Sequence, residues 1–253
     1  MKIKSIIFIL PIFLVFNQAV FAQTPLDARE IVKRSDDLMR GDSHQGLYTM
    51  RIQTPSWKRE LKLEVASLGR DKIFIRILSP DKEKGVSTLR IKNEMWNYLP
   101  RIERTIKIPP SLMLQPWMGS DFANDDLVRE SSIVNDYTHK ILKEEIWNGQ
   151  KVYIIQLLPK PAASVIWGKI IRSIRKGDDV PLREEYYSDK GKLIKVLEFS
   201  DIEKVSGRVI PRLWKMTPIN KPGHSTTIRV LDVQYNQPID QDIFTLIHLK
   251  RVQ

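Results

Sequence analysis

The sequence predicts a mainly β protein, one wide antiparallel sheet that curls on itself, with helices only at its start and in one insertion. Three observations carry this expectation. From Leu47 onward, apolar and polar residues alternate with a period of two in run after run. Short Gly, Pro, Asn and Asp turns separate the runs. No linker, composition shift, repeat or low-complexity tract marks a second domain. Ten or eleven strands in one continuous meander form a sheet too wide to stay flat.

The chain opens with Lys2 and Lys4, an apolar run from Ile6 to Phe16, and then Val20-Phe21-Ala22. This is the pattern of a secretory signal peptide, residues 1–22, cleaved after Ala22. The run is too short for a comfortable membrane span, and nothing later approaches the roughly 20 apolar residues a spanning helix needs. Residues 23–253 are therefore expected as one exported, soluble domain. The chain has no cysteine. That excludes disulfides, thiolate metal sites, a cysteine nucleophile and a lipid-modified cysteine at the mature N-terminus.

Thr24-Pro25 reads as an N-cap with proline at the first helical position, and Ala28, Ile31, Val32, Ser35, Leu38 and Met39 recur at helical spacing up to Gly41. One amphipathic helix over 25–40 follows. The period then changes to two. Tyr48, Met50 and Ile52 alternate with Leu47, Thr49 and Arg51, and "TPSW" turns the chain into a strand carrying Leu61, Leu63 and Val65 on one face. Strands continue at 72–78, 85–91 and 93–100. After the insertion they resume with "THKILKEEIWNGQKVYIIQLLP", where Asn148-Gly149 signals a hairpin. Further strands are expected near 165–175, 182–188, 192–203, 208–217 and 225–235.

The formal net charge is +11, two of it from Lys2 and Lys4. Such an excess favours anionic partners, and for an exported protein these are lipid head groups or acidic proteins, not nucleic acid. A basic surface that only keeps the protein soluble accounts for the same charge. Catalytic patterns are missing. His44, His139, His224 and His248 are scattered outside any metal-ligand spacing, and there is no GxSxG, GxxxxGK[ST] or GxGxxG. The acid pairs Asp36-Asp37, Asp125-Asp126, Glu144-Glu145 and Glu184-Glu185 read as solvated. Neither an enzymatic activity nor a metal or cofactor is expected.

The segment "IPPSLMLQPWMGSDFANDDL", residues 108–127, does not fit the strand pattern. Pro109, Pro110 and Pro116 prevent sheet pairing, while Leu112, Met113, Leu114, Trp117 and Met118 form an adaptable apolar surface. The segment ends as a helix start, with Asp121 or Asn124 able to cap and Asp125-Asp126 in the first turn. It could simply cap one end of the sheet. A curled sheet covered by a movable apolar segment is also a container for a hydrophobic ligand. Each buried CH₂ contributes roughly 0.8 kcal/mol, so a chain of about sixteen carbons contributes on the order of 10 kcal/mol before ordering costs.

The stretches "LYTMRIQTPSWKRELKLEV", "LSPDKEKGVSTLRIKNEMWNYLPRIERTIKIPPSLM" and "WMGSDFANDDL" resemble the LolA-like family of outer-membrane lipoprotein-sorting proteins, whose members are often encoded beside RND-type exporters. "WNYLP" at 96–100 and "GSDF" at 119–122 are the most specific pieces. The resemblance implies an incomplete, highly curved antiparallel barrel of about eleven strands. Helices cover its open apolar cavity, and the elements at 25–40 and 109–131 serve as lids. It also implies a periplasmic, non-catalytic carrier of lipids or acylated proteins, served by an inner-membrane exporter or an outer-membrane acceptor. The chain is longer than the true carriers. The rival readings are an RseB-like envelope-stress regulatory module and a structural adaptor of an exporter.

On this reading Tyr48, Met50 and Ile52 of one strand, and Trp96 and Tyr98 of another, face the cavity, although a slip of one residue reverses either set. Leu112, Met113, Leu114, Trp117 and Met118 form the lid and Phe122 anchors it. Arg101, Arg104 and Lys107 meet an anionic head group at the mouth, or else form a solvated strand face.

Overall fold

The computed structural model describes residues 27–129, 133–161, 163 and 165–251, with no side-chain description for 127–129. The signal peptide, the Thr24-Pro25 start and the far end of the 109–131 insertion lie outside them. The first helix, α1, spans Ala28–Arg40. Asp27 caps it by accepting from the Arg29 amide at 2.9 Å, Glu30 and Arg40 complement the dipole at the two ends, and Gly41 ends it at φ +63°.

Six strands follow: β1 (Ser43–Gln53), β2 (Lys58–Leu68), β3 (Lys72–Ser79), β4 (Ser87–Ile91), β5 (Glu94–Leu99) and β6 (Arg104–Lys107). A short helix, α2 (Asn124–Arg129), interrupts the strands. Seven more complete the sheet: β7 (Tyr137–Trp147), β8 (Gln150–Pro159), β9 (Lys169–Arg175), β10 (Pro181–Tyr187), β11 (Leu193–Val205), β12 (Arg208–Pro218) and β13 (Ser225–Tyr235). The four-residue α3 (Leu246–Leu249) comes last. Thirteen strands exceed the ten or eleven counted from sequence, and the one at a position where none was read is β6, whose four residues "RTIK" are too few and too polar to show a period.

All thirteen strands belong to one antiparallel sheet, ordered β6-β5-β4-β3-β2-β1-β13-β12-β11-β10-β9-β8-β7. The chain is not one continuous meander. Two meanders share the central β1–β13 pair, and β6 and β7 are the two edges. Consequently the 108–136 segment must travel from one edge of the sheet to the other. Its part around Met113, Trp117 and Met118 packs on the inner face, opposite the face of β3–β5 that the C-terminal segment covers. There, Phe244 and Leu249 pack against Ala66, Phe74, Leu89 and Tyr98. Asn148 and Gly149, at φ +48° and +77°, make the tight β7–β8 hairpin that "NG" forecasts, because both central residues of such a turn need positive φ.

The inner face carries two apolar clusters. One gathers Tyr48, Met50, Ile52, Leu61, Leu63, Ile73, Ile75 and Met95 with Trp117. The other places Ile31 and Val32 of α1 against Tyr153, Ile155, Ile170 and Ile174. The helix thus lies against β7, β9 and β12, and Trp117 of the crossover packs on the β1–β3 side.

Candidate functional site

Between these clusters lies a cavity of about 190 Å³. Tyr48, Leu63, Val65, Ile73 and Ile75 line one wall, while Ile170, Leu197, Phe199, Trp214, Met216 and Ile228 line the other. Met39 of α1 and Trp117 and Phe122 of the crossover close it. The aromatic walls interlock at an angle: Trp214 lies 6.3 Å from both Tyr48 and Phe199 between ring centroids. The volume falls below the roughly 300–1,000 Å³ of small-molecule pockets. A long chain therefore enters fully only if the crossover yields.

The crossover is tied down at identifiable points. Pro116 to Ala123 forms a small loop, with the Trp117 amide donating to the Phe122 carbonyl at 2.7 Å. Met118 and Gly119 both take positive φ there, +49° and +72°. Trp117 is 3% exposed, and its indole donates to Thr88 Oγ1 at 3.1 Å. The Thr88 hydroxyl donates in turn to Asn97 Oδ1 at 2.7 Å. The Asp121 amide donates to Thr226 Oγ1 at 2.9 Å, and the Thr226 hydroxyl donates back to Asp121 Oδ2 at 2.7 Å. Lys195, buried on β11, pairs with Asp126 and sits 4.7 Å and 5.1 Å from the Trp167 and Tyr186 rings. Asp126 also accepts from the Ala123 amide at 2.7 Å, holding the start of α2.

Of the residues singled out from sequence, Tyr48, Trp117 and Phe122 line the cavity. Met50 and Ile52 share the inner face with Tyr48 and are buried beneath Trp117. Met113 and Met118 pack against the same cluster while half-buried. Seven expected positions lie neither at the cavity nor in that cluster. Trp96 and Tyr98 face outward, with Phe74, Leu89 and Phe244; their neighbours Met95 and Asn97 are the ones turned inward. Leu112 and Leu114 are 42% and 63% exposed and do not enter the cavity. Arg101 and Arg104 are exposed, and Lys107 is paired with Glu94 and lies over the Trp96 ring, so none of the three is at the cavity.

The acid pairs also depart from the solvated reading. One member of each of three pairs is buried: Asp36, Asp125 and Glu184. All three line the cavity. Asp36 accepts from Arg40 Nε at 3.2 Å and from Arg70. Glu184 pairs with Arg172 and accepts from the Tyr186 hydroxyl. Burial, with the Glu184 charge second, pushes the Tyr186 phenol well above its ordinary value. Burial likewise lowers His139. Sequence reasoning missed this polar rim because a buried ion pair leaves no periodic trace. Among the described residues, no group of three or more His, Asp or Glu is placed to hold a metal, and no helix is long and apolar enough to cross a membrane.

A family model of an uncharacterized protein family matches residues 69–251. The chain belongs to this family. A DUF1329 family protein from Desulfovibrio piger has a TM-score of 0.81 at 22% identity, over 88% of this chain and 97% of its own. A domain named for outer membrane lipoprotein-sorting proteins, from Vibrio parahaemolyticus, has 0.77 at 24%, over 88% and 98%. A LolA superfamily protein from Nitrosomonas europaea has 0.75 at 22%, over 88% and 99%. No curated protein matches the chain. The open curled sheet with its crossover on the inner face is the fold shared with these LolA-like structures.

Proposed function

We propose that the chain, as a single exported domain over 23–253, is a non-catalytic periplasmic carrier of lipids or acylated proteins that hands its cargo to a membrane partner, such as an exporter or an outer-membrane acceptor. The observation that carries this reading is the apolar cavity under a crossover held by a few discrete contacts. A container for an acyl chain needs an apolar interior, and a carrier needs a cover whose release does not unfold the sheet. The names of the Vibrio and Nitrosomonas relatives, which refer to lipoprotein sorting and to the LolA superfamily, support the same class.

The test is mass spectrometry of an organic extract from the mature protein, purified from a periplasm without detergent. A stoichiometric lipid or acylated peptide is expected in the wild type, with loss of it in Met216→Trp, which fills the cavity from the β12 wall beside Phe122 while leaving the Trp117–Thr88, Asp121–Thr226 and Asp126–Lys195 contacts in place. An empty extract, together with failure to take up fluorescent lipopeptides, would remove the carrier reading.

A further inference from the structure

One charged group in the cavity is not fully matched. Arg172 stands on the inner face of β9 between Ile170 and Ile174, its side chain 6% exposed. It is opposite Ile155 on β8 and Glu184 on β10, and the row continues through Leu197 on β11 to Met216 on β12. Its Nη2 pairs with Glu184. Its Nε and Nη1 are buried without an acceptor among the described residues. A buried guanidinium donor left unmatched is costly, so such groups ordinarily find a partner. Arg172 is among the residues lining the cavity, and beyond Glu184 the same row of the wall is apolar, with Leu197 and Met216.

The local charge decides which acceptor fits. Glu184 already neutralises Arg172, Lys195 neutralises Asp126, and Arg40 and Arg70 face Asp36. A carboxylate or phosphate ligand would bring a second negative charge beside Glu184 in a site of low dielectric. A carbonyl oxygen supplies the acceptor with no such repulsion, and donation from a guanidinium makes the bond charge-assisted.

We propose that Arg172 is a recognition residue for the neutral ester or amide carbonyl that joins an acyl chain to its head group, with the chain running over Leu197 and Met216. The cavity thereby selects acylated molecules over free fatty acids. This deepens the carrier reading and rests on it.

The test uses the wild-type mature protein and displacement of N-phenyl-1-naphthylamine fluorescence by 1-palmitoylglycerol, by 1-O-hexadecylglycerol and by hexadecanoate. The first two share chain and glycerol head, and the ether lacks only the carbonyl. The ester is expected to displace the probe at a concentration about tenfold lower than the ether, the scale of one hydrogen bond to a charged group. In the charge-neutral double variant Arg172→Met/Glu184→Gln, which leaves no donor at position 172, the two should become equal. Equal displacement by ester and ether in the wild type overturns the Arg172 assignment and leaves the carrier reading standing. Tighter binding of hexadecanoate than of the ester overturns the preference for a neutral acceptor. Displacement by none of the three overturns both.

Discussion

If Trp117 holds the crossover shut, Trp117→Ala should open that segment without unfolding the sheet. The indole is 3% exposed. Burying a tryptophan removes on the order of 200 Å² from water, about 5 kcal/mol at 25 cal/mol per Å². The bond to Thr88 adds about 1 kcal/mol. Measured truncations of large core aromatics to alanine cost roughly 3–5 kcal/mol, so part of this is recovered by relaxation. Because the crossover joins the two sheet edges and pairs with neither within itself, the loss should fall on a local opening. Hydrogen exchange reads it directly. The amides of Ser120, Asn124 and Asp125 donate to Trp117, Gln115 and Met113 carbonyls within the segment. They should exchange between about 10² and 10⁴ times faster in the variant. Amides of β1, such as Met50 and Ile52, should keep their protection. Unchanged exchange at Ser120 and Asp125 would refute the anchor. Equal acceleration in β1 would show that the crossover is inseparable from the core.

Other substitutions probe the remaining contacts. Lys195→Met leaves Asp126 buried without its cation and should cost roughly 3–5 kcal/mol in urea unfolding. Lys195→Met/Asp126→Asn should recover most of that, since the amide oxygen still accepts from Ala123. Arg101→Ala/Arg104→Ala should leave stability within about 0.5 kcal/mol and leave probe uptake unchanged, because both side chains are exposed and away from the cavity. Alkaline unfolding should begin above the ordinary tyrosine value of 10. Tyr187 and Tyr235 are pushed up to about 12 and Tyr186 well above its ordinary value, in each case with burial as the main cause. The fold therefore prefers the neutral phenols, and the tyrosine contribution to stability should be level below pH 10 and be lost as pH rises from there through about 12. Phenolate absorbance that appears fully near pH 10 in folded protein would contradict this.

The period-two alternation of β1 and β2 was legible because one face of each is buried and the other is polar. The Asn148-Gly149 hairpin was legible because its geometry demands those two residues. The crossover showed itself by its prolines, and the burial of Trp117 and Phe122 agrees with their apolar setting. The orientation of β5 was not legible, since "EMWNYL" is apolar on both faces. What turned Trp96 and Tyr98 outward is the C-terminal segment, whose Phe244 and Leu249 arrive from more than a hundred residues away. Nor did sequence show that Glu184 and Asp126 are interior: adjacent acids look alike until Arg172 and Lys195 are brought opposite them by strand register and by the crossover. Local alternation and turn chemistry are properties of neighbouring residues, and so the chain alone determined most strands and their turns, but not the β1–β13 pairing that joins two meanders into one sheet. Which face is inner, what closes it and which charges it encloses depend on pairings between distant segments, and only the tertiary structure decided those.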